Sequence, residues 1–134
     1  MTNLHLRFLI WGIVITMFLG FFQVSSLWGQ DRVPFDAYFH NESQKIKKNH
    51  LDNFVRELRE RAADTAYIIF YSGQKEKAST TARELAMVRR YLGITKNVNR
   101  SRFFIIQGGT LPKGVTYIYF VSKGADPPKP SPPE

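Results

Sequence analysis

The chain has 134 residues, none of them cysteine, and carries a formal net charge of +8. That length leaves room for one domain, and the missing thiols exclude disulfide staples, thiolate metal sites and a cysteine nucleophile. The basic excess favours anionic partners without specifying one.

In chain order, the first feature is an apolar run from Phe8 to Phe22 inside a nearly uncharged stretch, Leu4 to Val24, where Arg7 is the only ionised side chain. The run is short for the roughly 20 residues of a spanning helix, and Val24, Ser25 and Ser26 suit signal-peptidase cleavage. Residues 1–26 are therefore expected to be a signal peptide cleaved after Ser26. The alternative is an uncleaved anchor from Leu4 to Trp28, with Trp11 and Trp28 near the interfaces. On either reading the globular part is exported.

Val33 to Phe39 has strand composition, and Pro34, which cannot donate to a ladder, points to a sheet edge or a strand start. Asn41 and Gln44 have the spacing of a capping box. Ile46, His50, Leu51, Phe54, Val55, Leu58 and Ala62 then predict a helix with one apolar stripe, and Lys45, Lys47, Lys48, Arg56, Arg59 and Arg61 are expected on its solvated face. Ala66 to Tyr71 is apolar throughout, as expected of a central strand covered on both sides. Ala82, Leu85, Ala86, Val88, Arg89 and Leu92 predict a second helix, starting between Lys75 and Thr81 and ending at a left-handed Gly93. Arg102 to Gln107 reads as a third or central-type strand, broken by Gly108 and Gly109. Val115 to Val121 alternates as a strand with one face partly open to solvent.

This order predicts an α/β two-layer sandwich of β-α-β-α-β-β type, a mixed sheet with both helices on one face. Its bounds are residues 33–122. Residues 123–134, with five prolines after Gly124, read as a disordered, polyproline-like tail, in which Pro127 and Pro130 also fit a P-x-x-P spacing.

The arrangement, with an export signal and a helix ending in Tyr91-Leu92-Gly93, resembles the OmpA-like carboxy-terminal domain that anchors bacterial outer-membrane proteins to peptidoglycan. The likeness runs from about Phe35 to Val121. Leu51 to Phe54, Tyr67 to Gly73, Gln107 to Gly109 and the proline-rich end resemble more narrowly an OmpA-related group of exported acidobacterial proteins, a likeness that implies no activity. The resemblance implies a ligand site made by an Asp in the turn after the central strand and an Arg on the following helix, which bind diaminopimelate. Here Tyr71 and Ser72 match the family's Tyr-Thr pair, so Gly73 stands at the Asp position. Thr81, Val88 and Leu92 match the helix, so Glu84 stands at the Arg position, with Arg83 one residue away. The turn thus lacks a carboxylate for a ligand ammonium, and Ser72, Gly73, Lys75, Arg83 and Glu84 are the residues expected to frame any site that persists.

Other chemistry finds less support. His40, His50 and Glu42 match no metal-ligand spacing; His50 beside an apolar stripe reads as structural and His40 as a loop residue. Ser72 follows a central strand, but FYSGQ lacks the preceding glycine of a nucleophile elbow. Glu84 and Asp64 sit among cations and do not read as an acid and base pair. Lys75, Lys77, Arg83, Arg89, Arg90, Lys96, Arg100 and Arg102 make a basic second half, but export argues against nucleic acid. The expectation is a non-enzymatic envelope module, periplasmic or outer-membrane-associated in a Gram-negative-type bacterium, with no cofactor. Its partner is expected to be peptidoglycan or another envelope protein, and it meets a membrane only through an uncleaved amino terminus. The alternative is a protein-interaction module that has lost peptidoglycan binding and uses its basic helix face or its proline-rich tail.

Overall fold

A computed structural model describes residues 33–130; the segment expected to be an export signal and the last four residues lie outside that range. The elements are β1 (Asp36–Phe39), α1 (Gln44–Glu60), β2 (Thr65–Gly73), α2 (Ala78–Arg90), β3 (Phe103–Leu111) and β4 (Val115–Val121). They form an α/β fold with a four-stranded mixed sheet in the order β1-β4-β2-β3. β4 runs antiparallel to both β1 and β2, and β2 and β3 are parallel.

Two differences from the expected strands follow from this order. β3 is an edge strand rather than a central one. Gly108 and Gly109 do not end it: the pairing of Phe70 with Gln107 is followed by that of Tyr71 with Gly109, so Gly108 is an extra residue in a bulge. β3 and β4, although joined by only Pro112, Lys113 and Gly114, are not neighbours. Both flank β2, and the three-residue link crosses over its carboxy-terminal end. Two inter-strand spacings of about 4.8 Å are within reach of such a link only if it hugs the strand it crosses. A Cβ on Gly73 would lie 2.8 Å from the Gly114 backbone nitrogen, and this close approach is why β2 ends on glycine.

Ser43, not Asn41, caps α1: its hydroxyl accepts from the Ile46 N–H at 3.3 Å. The buried stripe is Lys47, Leu51, Phe54, Val55 and Leu58, while Ile46 is 45% exposed. Lys47 thus leaves the solvated face expected for it, because a carboxylate awaits it in the interior. Leu51, Phe54 and Leu58 pack with Leu85 and Val88 of α2, and with Leu92 just after it, on Ala66, Ile68 and Phe70 of β2, so both helices share one core with one face of the central strand. Ile69, Tyr71 and Val115 are buried in a second cluster on the other face, with Tyr117 and Tyr119 partly open beside them.

α2 does not stop at a left-handed Gly93. It runs into a wider turn, Tyr91–Thr95, closed by the Lys96 N–H on the Tyr91 carbonyl at 2.9 Å, and the left-handed residue is Asn97, with φ 51°. After β4 the chain takes up no helix or strand through Pro130, and Pro128 is buried.

Candidate functional site

The arch of Pro112, Lys113 and Gly114 over the end of β2 defines a recess of about 150 Å3, lined also by His40, Asn41, Gly73, Lys75 and Glu76. His40 immediately follows β1, but it is buried rather than a solvated loop residue. Its backbone N–H donates to the Gly114 carbonyl at 3.0 Å, which fixes the ring under the arch.

The His40 Nδ1 lies 3.0 and 3.1 Å from the two Glu76 oxygens, and its Nε2 lies 3.0 Å from Thr116 Oγ1. A carboxylate can only accept, so Nδ1 carries a proton, and a neutral ring then accepts from the Thr116 hydroxyl at Nε2. Glu76 also accepts from Thr81 Oγ1 at 2.9 Å and from the Gly73 N–H at 3.3 Å, and Thr81 in turn accepts from Ser72 at 3.0 Å. Burial pushes the Glu76 carboxyl up, but the bonds from His40 and Thr81 outweigh it and leave the pKa below its ordinary 4.5. A Cβ on Gly114 would overlap Glu76 Oε2, so that glycine makes room for the carboxylate.

The turn expected to lack a carboxylate for a ligand ammonium does hold a carboxylate, though not at Gly73: Glu76, three residues on, folds back onto the Gly73 amide and is bonded to His40 and Thr81. The spacing from Gly73 to Glu76 was the available signal, and its meaning depended on a histidine 36 residues earlier in the chain.

Of the residues expected to frame a site, Gly73 and Lys75 line the recess, and Ser72 supports it through Thr81. Arg83 is exposed on α2 and does not line it. Glu84 is not there either: it is buried against Lys47, and its Oε2 has no hydrogen-bond partner. The Tyr38 hydroxyl, buried near Thr116 and Glu84, makes no hydrogen bond of ordinary geometry, and burial pushes its pKa up.

Thr116, His40 and Glu76 follow one another as a nucleophile, base and orienting acid would. Thr116 is 0% exposed, however, so its hydroxyl meets no substrate in this conformation. Ser72 bonds to Thr81 and not to a histidine. His50 is half-buried and structural, with Nδ1 on Asp36 at 2.7 Å. The recess presents the Glu76 carboxylate on its floor, with Lys75 and Lys113 exposed at the rim and in no ion pair among the described residues.

The linkage of Glu76 gives a pH prediction. A carboxyl whose folded pKa is depressed contributes stability above its unfolded value, and this is lost as pH falls through the folded pKa. Glu76→Gln is therefore expected to cost about 1–3 kcal/mol near neutral pH. In thermal melts from pH 7 to 3 the gap from the parent should narrow below about pH 4.5. A gap that stays constant with pH would show that the charge contributes nothing.

No family model, no curated protein and no solved structure matches the chain.

Proposed function

We propose that this chain is a non-enzymatic module of the cell envelope, OmpA-like in fold, exported to the periplasm or outer membrane, and that it binds peptidoglycan at the end of β2. The observation that carries this reading is the Glu76 carboxylate beneath the arch, with Lys75 and Lys113 at the rim. The resemblance implies a site in the same turn, where a ligand ammonium and its carboxylates are met by groups of opposite charge. Glu76 would take the ammonium and the two lysines the carboxylates, a division of roles that needs neither Arg83 nor Glu84.

Co-sedimentation with purified sacculi at low and at raised salt tests it. Salt-resistant pelleting of the parent, reduced about tenfold by Lys75→Ala with Lys113→Ala, is the expected result. Pelleting abolished by modest salt, or unchanged in the double variant, would sink it, since a charge-only attraction is screened within about 10 Å at 0.1 M salt.

A second reading, a periplasmic protein-interaction module, is favoured by one observation. Arg83, Arg89 and Arg90 are exposed on α2 and make no ion pair among the described residues. Loss of a co-purifying partner on reversing the charges of Arg89 and Arg90, with sacculus binding absent, would favour it.

A further inference from the structure

At the opposite end of the sheet, where α1 ends and the loop before β3 turns back, lies a recess of about 140 Å3. Its apolar lining is Val55, Leu58 and Val98, and its polar lining is Arg59, Lys96, Asn97, Asn99 and Arg102, without a carboxylate.

The polar groups are disposed as donors. Arg102 is held in place by the last carbonyls of α1 and the turn after it: its Nη2 donates to Leu58 and Arg61 at 2.9 and 2.8 Å, and its Nε to Asp64 at 3.3 Å. That anchoring spends Nε and Nη2, and Nη1 makes no hydrogen bond among the described residues. Asn99 spends its Oδ1 on the N–H and hydroxyl of Ser101, each at 3.0 Å, so its remaining capacity is the amide NH2. Among the described residues Arg59 makes a single long bond, to the Lys96 carbonyl at 3.5 Å, and no ion pair. Lys96 alone is neutralised, by Asp52 at 2.9 Å. The left-handed Asn97 turns the loop so that these groups converge.

We infer that this recess binds the carboxylate end of a peptide whose last side chain is small and aliphatic. Two guanidinium groups that make no ion pair among the described residues, Arg102 with only Nη1 to spare, and an amide donor supply what a planar carboxylate accepts. The valine and leucine side chains beside them supply what a methyl or short branched side chain needs, which a bare phosphate would leave unused. The volume, that of roughly five waters, matches one small residue. The inference does not depend on sacculus binding, which concerns the other end of the sheet.

The test is a titration of the full chain, followed by the NMR signals of the Asn97 and Asn99 side-chain amides and the Val98 methyls, with acetyl-alanyl-alanine as free acid, its carboxamide, and inorganic phosphate. Saturable shifts with the acid, at least tenfold weaker affinity for the carboxamide and for phosphate, and at least a tenfold loss in Arg59→Gln are expected. Arg59 is exposed on α1, so this variant keeps its core. No saturation with the acid, an equal response to the carboxamide or phosphate, or an unchanged Arg59→Gln would overturn the assignment.

Discussion

Lys47→Ala is expected to destabilise the protein by about 3–5 kcal/mol, the usual cost of leaving one member of a buried pair behind. Lys47 and Glu84 are 2% and 5% exposed, and the second Glu84 oxygen already lacks a hydrogen-bond partner, so removing the lysine leaves a buried carboxylate without its cation. At about 4–8 °C per kcal/mol for a domain of this size, thermal melting should fall by more than roughly 10 °C. The double variant Lys47→Leu with Glu84→Leu separates charge from packing: it should recover most of the loss, because two apolar side chains carry no desolvation cost. A double variant as unstable as Lys47→Ala would show that the pair matters through shape and not through charge.

Gly108→Ala is the second large effect. A Cβ there would lie 2.5 Å from Tyr71 Cε1 and 2.8 Å from Ile69 Cγ2, and both side chains are buried in the second cluster. Neither can swing into solvent without opening that cluster, so overpacking of about 1–3 kcal/mol is expected, read as a lowered denaturation midpoint with an unchanged slope. Gly109→Ala is the control on sterics: its Cβ would meet nothing within 4 Å, and only its φ of 121° opposes the change. If Gly108→Ala were the milder of the two, backbone conformation rather than close packing would explain the bulge.

Much of the architecture was legible because it rests on period. Leu85 and Val88 fix the phase of α2 and Leu92 continues it into the next turn, the unbroken run Ala66 to Tyr71 marks a strand covered on both faces, and Pro34, which points to a sheet edge or a strand start, stands just before the edge strand β1. Lys47 and Glu84 were legible in principle. Lys47 stands four residues before Leu51 and seven before Phe54, and Glu84 four before Val88 and eight before Leu92, so both lie on apolar stripes. What misled was charge type, since a lysine or glutamate is rarely inside unless paired, and the partner sits on a different helix.

The site was less legible for a related reason. His40, Glu76 and Thr116 come from three segments that meet only because β4 is inserted between β1 and β2, and no local pattern specifies that insertion. Pro112 to Gly114 has the length of a hairpin loop, so local turn chemistry points to the wrong neighbours. The bulge at Gly108 was misread as a strand end because glycine pairs signal turns more often than they signal an extra residue.

The crossing of β2 by that short link also bears on how the chain acquires its shape. β1 has one neighbour, β4, and Asp36 pairs with Ile118, so the first strand of the sheet waits for the last. Until residues 115–121 are available, β1 has nothing to hydrogen-bond and the central strand keeps one side open. β2, α2 and β3 can dock as a parallel unit beforehand, but the contacts that close the sheet join segments about 80 residues apart, the kind of topology that folds slowly. The topology therefore predicts that the native sheet closes late, once the carboxy-terminal strand has slotted into the gap, and that the His40 and Glu76 pairing under the arch is assembled in the same step.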